Sequence, residues 1–270
     1  MKKVILITGA SSGMGKDFAR ELLNDGHTVY GAARRMDKMQ DLDSMGVKLL
    51  KMDVTEDASM VQGIADIIKA EGRIDVLINN AGFGSYGAVE DVPIADAKYQ
   101  LDVNVFGAAR LMQLVIPYMR EHNYGRIINI SSIGGKFAMP MGGWYHASKF
   151  ALEALSDAVR NEVKPFGIDV VVIEPGGVKS EWSDIAMDNL VKISGNGAYR
   201  KMAEKLAKIS KTQGHRVAEP DVITKLVKKA IEAKSPKTRY SGGFAAKPLL
   251  FLRKILPDRM MDKLFMSQLK

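Results

Sequence analysis

Tyr145 and Lys149 stand four residues apart in Gly142-Gly143-Trp144-Tyr145-His146-Ala147-Ser148-Lys149, and Ser132 lies thirteen residues upstream of the tyrosine. On a helix, side chains four apart sit one above the other on the same face. A phenol beside an ammonium has its ionised form favoured, so its pKa falls toward working pH. A general acid/base made from tyrosine requires that shift. Of the eight tyrosines, only Tyr145 is followed by Lys at the fourth position. Solvated helix pairs share this spacing, so the chemistry depends on the elements that would position the pair.

Those elements begin at the N-terminus. Residues 3–8 form an apolar, β-branched run, followed by Gly9-Ala10-Ser11-Ser12-Gly13-Met14-Gly15 and a helical pattern through Phe18, Leu22 and Leu23. A strand, a glycine turn and a helix let a pyrophosphate approach the backbone at a helix N-terminus. The glycine spacing is Gly-x-x-x-Gly-x-Gly rather than Gly-x-Gly-x-x-Gly. A second strand, His27 to Ala32, ends in Ala33-Arg34-Arg35. It lacks the acid that would hold a ribose 2′-hydroxyl, and two guanidinium forks suit a 2′-phosphate. The expected cofactor is NADP(H) in preference to NAD(H), although Asp37 lies just beyond the arginines.

Further strands are predicted at Val47 to Met52, before Asp53-Val54, and at Ile74 to Ile78, before Asn79-Asn80-Ala81-Gly82. Two more follow at Arg126 to Ile130, before Ser131-Ser132, and at Ile168 to Glu174, before Pro175-Gly176-Gly177-Val178. Helical patterns separate them, and the pattern from Pro93 to His122 should bend near Asp102 to Val105, where Asn104 is a poor helix former. Alternating strands and helices specify an α/β fold with a parallel sheet covered on both faces. Ligands of such sheets sit at the carboxyl ends of the strands, where Gly9, Arg34, Asp53 and Asn80 all fall.

Composition narrows the classes. An apolar content of 46% in 270 residues is ample for a core. The absence of cysteine excludes disulfides and thiol catalysis, and the four histidines show no metal-ligand spacing, so no metal is expected. No stretch approaches the roughly 18 apolar residues of a membrane span, and the expected location is cytoplasmic. Residues 1–198 carry a net charge of −4 and residues 199–270 a net of +12. Nucleic-acid binding lacks a supporting motif. An anionic membrane surface, an acidic ligand and a plain solvated face all fit the basic quarter.

Taken together, Thr8-Gly9-x-x-x-Gly13-x-Gly15, Asn79-Asn80-Ala81-Gly82, Asn104, Ser132, Tyr145-x-x-x-Lys149 and Pro175-Gly176 occur in the order and spacing of one family. The chain resembles the compact short-chain dehydrogenases/reductases, single-domain NAD(P)-dependent oxidoreductases, over roughly residues 3–180. The resemblance implies one Rossmann-type, doubly wound domain with a seven-stranded parallel sheet, its seventh strand near Thr238 to Tyr240. It implies that Tyr145 exchanges a proton with substrate oxygen, that Lys149 holds the nicotinamide ribose and lowers the Tyr145 pKa, and that Ser132 bonds the substrate oxygen. Asn104 would fix the helix and a proton-relaying water. Gly9, Ser11, Ser12, Gly13, Met14 and Gly15 would line the pyrophosphate, and Asp53 and Val54 the adenine. Asn80, Ala81 and Gly82 would face the ribose, and Pro175, Gly176 and Val178 the nicotinamide. Arg34, with Arg35 beside it, occupies the place of the basic residue in NADP-preferring members.

Length and tail are similar to the subgroup containing retinol and 17β-hydroxysteroid dehydrogenases. The expected division is a catalytic domain over 1–246, with a substrate-binding segment at 179–213, and an amphipathic tail over 247–270. Trp182, Ile185, Met187, Leu190, Ile193 and Tyr199 would let that segment close over an apolar or lipid-like substrate. The tail, interrupted by Pro257, could cover the pocket, pack against a partner subunit or lie on a membrane. The leading function is carbonyl–alcohol interconversion on a small molecule by a homo-oligomer, dimer or tetramer. The alternative is a cofactor-binding regulatory protein without turnover.

Overall fold

Continuous apolar runs become strands where both faces of a parallel sheet are covered. In the computed structural model, which describes residues 2–213 and 217–269, β1 (Val4–Thr8) is such a run, buried along its whole length. It pairs with β2 (Thr28–Ala33) and with β4 (Val76–Asn79), and β2 pairs with the edge strand β3 (Lys48–Lys51). On the other side follow β5 (Gly125–Ile130), β6 (Ile168–Pro175) and β7 (Arg239–Gly242). All seven pair in parallel in the order β3-β2-β1-β4-β5-β6-β7. The strand order reverses direction between β1 and β4, which opens a crevice at their carboxyl ends.

Eleven helices are described: α1 (Gly13–Asn24), α2 (Gln40–Met45), α3 (Asp57–Glu71), α4 (Ile94–Leu101), α5 (Ala108–Glu121) and α6 (Gly143–Val163). They continue with α7 (Glu181–Ser194), α8 (Arg200–Gln213), α9 (Asp221–Glu232), α10 (Ala246–Ile255) and α11 (Asp258–Leu269). Alternate residues of β1 feed two cores. Ile5 and Ile7 pack with Phe18 and Leu22 of α1 and Ile223 and Val227 of α9. Leu6 packs on the opposite face with Ile64 of α3 and Leu111 and Val115 of α5.

The helix predicted from Pro93 to His122 is continuous but not uniform. Between α4 and α5, residues Asp102–Gly107 form a π-helix, placed at the predicted bend. The wider turn lets Asn104 leave the helix ladder: its Oδ1 accepts from the Phe83 amide at 3.0 Å, and its Nδ2 donates to Phe83 O at 2.9 Å and Ser148 Oγ at 3.0 Å. Gly107 is needed there, because a Cβ would sit 2.5 Å from the Val54 carbonyl.

A buried polar chain sets the depth of α6. Asn79 donates to Asn129 Oδ1, and Asn129 donates to Ser156 Oγ, both at 2.9 Å, linking β4, β5 and α6. The C-terminal helices dock on the same domain: Leu249 and Leu252 of α10, Leu256 just after it, and Met261 and Phe265 of α11 cluster with Ile133, Phe137 and Met139. Removing the centre of the polar chain costs Asn79 and Ser156 one hydrogen bond each, leaving them only the Ala108 and Leu152 carbonyls as acceptors. Asn129→Leu should therefore lower unfolding free energy by about 2 kcal/mol or more. Urea denaturation checks this, and an unchanged midpoint would show that the chain is not structural.

Candidate active site

The crevice begins at the turn after β1. Gly9 and Gly13 have φ of +69° and +52°, which only glycine adopts without strain. Gly15 is closed in, since a Cβ would lie 2.4 Å from both Asn80 Nδ2 and Gly9 O. Asn80 Nδ2 donates to Thr8 O at 2.9 Å, and Thr8 Oγ1 accepts from the amides of Asn80 and Ala81, each at 3.0 Å. The two strand ends are thus sewn together and the turn cannot shift. Helix α1 starts at Ser12 with no side-chain cap and no acid in its first turn. Its leading N–H groups and dipole are positioned to receive an anion.

Arg34 and Arg35 flank the next strand end with half or more of each side chain exposed. Arg34 Nη1 donates to the Tyr99 hydroxyl at 2.7 Å and lies 3.6 Å from Asp53 Oδ2. Arg35 Nη2 reaches Ser11 Oγ and Ser12 Oγ at 3.4 Å, and Glu181 at 3.9 Å. Asp37 is exposed and outside the cleft lining. Arg35, exposed and held only by long contacts, can reorient onto a phosphate at low cost, whereas Arg34 is pinned at the strand end by the Tyr99 hydroxyl.

Tyr145 and Lys149 lie on the buried face of α6, at the carboxyl ends of β4 and β5. Lys149 Nζ donates to the Ile130 carbonyl at 2.9 Å, and Ser132 Oγ accepts from the Gly134 amide at 3.0 Å. The Tyr145 ring sits 5.0 Å from Trp182 and 5.7 Å from Tyr86, centroid to centroid. This apolar cage decides the electrostatics. Burial pushes the Tyr145 phenol up to about 12, against a smaller downward pull from the Ser132 hydroxyl. The expected lowering of this pKa by Lys149 is not seen: burial raises it, and the downward pull comes from Ser132. Lys149 is itself pushed down to about 8 by burial, partly countered by the Glu153 carboxylate.

One cleft of about 640 Å³ collects nearly the whole predicted set. Gly9, Ser11, Ser12, Gly13, Met14, Arg34, Arg35, Asp53 and Val54 line it, with Asn80, Ala81, Gly82, Ser132, Tyr145, Lys149, Pro175, Gly176 and Val178. Gly15 and Asn104 stand behind that lining and act on its shape, Gly15 by close packing and Asn104 by tying Phe83 to Ser148. The sequence reading missed Tyr86, Tyr99 and His146, for which no spacing motif exists, and Thr8, visible only as the residue before Gly9. His146 Nδ1 contacts the Gly134 carbonyl, while its Nε2 is buried without a partner. No group of three or more His, Asp or Glu able to hold a metal occurs among the described residues, and His215 lies outside them.

A glycine turn at a helix N-terminus and a buried Tyr–Lys face at one sheet edge have the layout of a nucleotide-dependent oxidoreductase of Rossmann type. The chain matches the short chain dehydrogenase family over residues 3–189 and belongs to the short-chain dehydrogenase/reductase family. It is 38% identical to a 3-ketodihydrosphingosine reductase of Bacteroides thetaiotaomicron over 96% of this chain and 95% of that one. It is 33% identical to an NADPH-dependent 3-dehydrocapnine reductase of Ornithobacterium rhinotracheale, over 98% and 96%. Among solved structures, a short-chain dehydrogenase from Streptomyces avermitilis superposes with a TM-score of 0.80 at 31% identity, covering 93% of this chain and 91% of that one. The protein is an oxidoreductase, and the glycine-lined cleft fits a nicotinamide dinucleotide.

The depressed lysine has a measurable consequence for stability. Below pH 8 the fold holds an ammonium that burial disfavours. That penalty fades as pH rises from about 8 to the unfolded value of 10.5. Lys149→Met should stabilise the protein at pH 7 by about 1–2 kcal/mol, after allowing for the lost bond to Ile130 O. Denaturation at pH 7 and pH 10 checks the sign: the gap between variant and wild type should shrink at the higher pH.

Proposed function

We propose that the protein reduces the ketone of a long-chain, lipid-like molecule with NADPH, Tyr145 delivering the proton to the oxygen. The observation that carries this reading is the Tyr145 phenol, buried at the cleft beside Ser132 and Lys149 and kept protonated by its aromatic cage. A phenol held in its neutral form can donate a proton to the substrate oxygen as hydride arrives at the carbon. Bound NADPH supplies the hydride.

The chain's own residues do the rest. Ser132 orients the carbonyl oxygen and, with Tyr145, meets the negative charge that develops there. Lys149 holds the nicotinamide ribose and restores the proton balance of Tyr145. Asn104 fixes the π-helix against Ser148, one residue before that lysine. Gly9, Ser11, Ser12, Gly13, Met14 and Gly15 form the pyrophosphate cradle, and Asn80, Ala81 and Gly82 the ribose wall. Asp53 and Val54 border the adenine, and Pro175, Gly176 and Val178 the nicotinamide. Arg34 and Arg35 receive the 2′-phosphate, and the name of one relative specifies NADPH.

Two relatives are named for keto or dehydro substrates, and the apolar wall of Trp182, Ile185, Phe137 and Leu249 suits a hydrocarbon chain. Residues 1–246 form the catalytic unit in this proposal, residues 179–213 meet the substrate, and the 247–270 tail adds Leu249 to the cleft. A homo-oligomer is supported by Phe106 and Phe150, exposed by 62% and 43% on adjacent segments of one helical layer. The cysteine-free composition accords with a cytoplasmic enzyme.

Two substitutions test the assignment. Tyr145→Phe should lower kcat by about 10²–10⁴-fold and leave the Kd for NADPH nearly unchanged; substantial residual turnover would remove the proton-donor role. Replacing Arg34 and Arg35 together with alanine should raise KM for NADPH roughly tenfold or more, with little change for NADH. Equal effects on both cofactors would refute 2′-phosphate recognition.

A further inference from the structure

Helix α10 has two unlike faces. Its inward face carries Leu249 and Leu252, packed with Leu256 at its end on Ile133, Phe137 and Met139, and Leu249 also lines the cleft. Its outward face carries Lys247, Phe251, Lys254 and Ile255, a spacing of i, i+4, i+7 and i+8 that places them on one side of the helix. Phe251 is 62% exposed, Ile255 58%, and Met260 just beyond the turn at Pro257 51%. Large apolar side chains grouped at this exposure mark an interaction surface rather than scattered surface residues. The helix is held firmly, because Arg253 Nε donates to the Lys136 carbonyl at 3.3 Å and Nη1 pairs with Asp258 at 2.5 Å. Lys247, Lys254, Arg259 and Lys263 leave the surroundings of the apolar group basic.

We infer that the outward face of α10 and the α10–α11 turn dock on an anionic phospholipid surface, bringing the cleft mouth to the bilayer. Phe251, Ile255 and Met260 insert at the boundary between headgroups and acyl chains, and the flanking lysines meet the lipid phosphates and carboxylates. No helix among the described residues is long and apolar enough to cross a membrane, so the attachment is peripheral. A second copy of the chain fits this face less well, since a two-fold contact would set Lys247 and Lys254 against the same basic group of its mate. Under the proposed function, docking sets Leu249, which lines the cleft, close to the bilayer that holds a lipid-like substrate. Docking itself does not depend on the identity of that substrate.

The test is co-sedimentation of the full chain with phosphatidylcholine vesicles, with and without phosphatidylserine. Binding should require phosphatidylserine and weaken as salt rises. Phe251→Ser with Ile255→Ser should abolish it, and each of Lys247→Ala and Lys254→Ala should weaken partitioning roughly fivefold. Circular dichroism and thermal unfolding verify that these surface variants remain folded. Failure of the wild type to sediment with any vesicle overturns the inference, as does binding indifferent to the four substitutions. So does a wild-type oligomer that Phe251→Ser and Ile255→Ser convert to monomer without vesicle binding, which would assign the face to a second copy. Sedimentation is read without turnover, so loss of the proposed reductase activity and loss of docking remain separate results.

Discussion

Burial of Tyr145 and Lys149 on one face of α6 is the constraint that organises the site. An ammonium and a phenol removed from water must be given partners, and each partner fixes a piece of backbone. Lys149 takes the Ile130 carbonyl at the end of β5, which aligns α6 with the sheet. The Asn79–Asn129–Ser156 chain holds the same helix two turns further along. Between them, Asn104 ties the π-helix to Ser148, so three strands or helices meet at α6 through polar contacts that tolerate no slip. Directional bonds in a buried setting specify register more sharply than apolar packing alone.

The same desolvation sets the chemistry. An exposed Tyr–Lys pair would act mainly by mutual Coulombic attraction, which water screens. Here Tyr86 and Trp182 exclude solvent, and burial moves the phenol and the ammonium toward their neutral forms. In the proposed reaction this neutral phenol, beside the Ser132 hydroxyl, is the proton donor. At the other end of the cleft, the uncapped start of α1 and two exposed arginines supply positive potential. The cleft thus combines a dry, apolar end with an open, basic end.

Much of this was legible in the sequence, for reasons that can be named. The strand–glycine–helix start and the β-branched runs are local patterns, and the Asn104 anomaly marked the place where the helix widens into a π-turn. The carboxyl ends of parallel strands lie at one sheet edge by topology, so Gly9, Arg34, Asp53 and Asn80 could be grouped before their distances were known. What escaped were contacts made by single aromatics across long separations: Tyr86 against Tyr145, and Tyr99 against Arg34. No periodicity announces them. The direction of the Tyr145 shift was also hidden, because it depends on how completely Tyr86 and Trp182 seal the ring. The short helix α2 and the helix α9 escaped too, although α9 supplies Ile223 and Val227 to the core.

The central claim is that this cleft turns over, rather than merely holding a dinucleotide. The most direct measurement is the oxidation of NADPH by purified wild-type protein mixed with 3-ketodihydrosphingosine, with the lipid product identified by mass spectrometry. The expected result is one alcohol formed per NADPH consumed, at a rate well above that without ketone. Tight NADPH binding with oxidation no faster than in the ketone-free control, across that compound and other long-chain ketones, would contradict it.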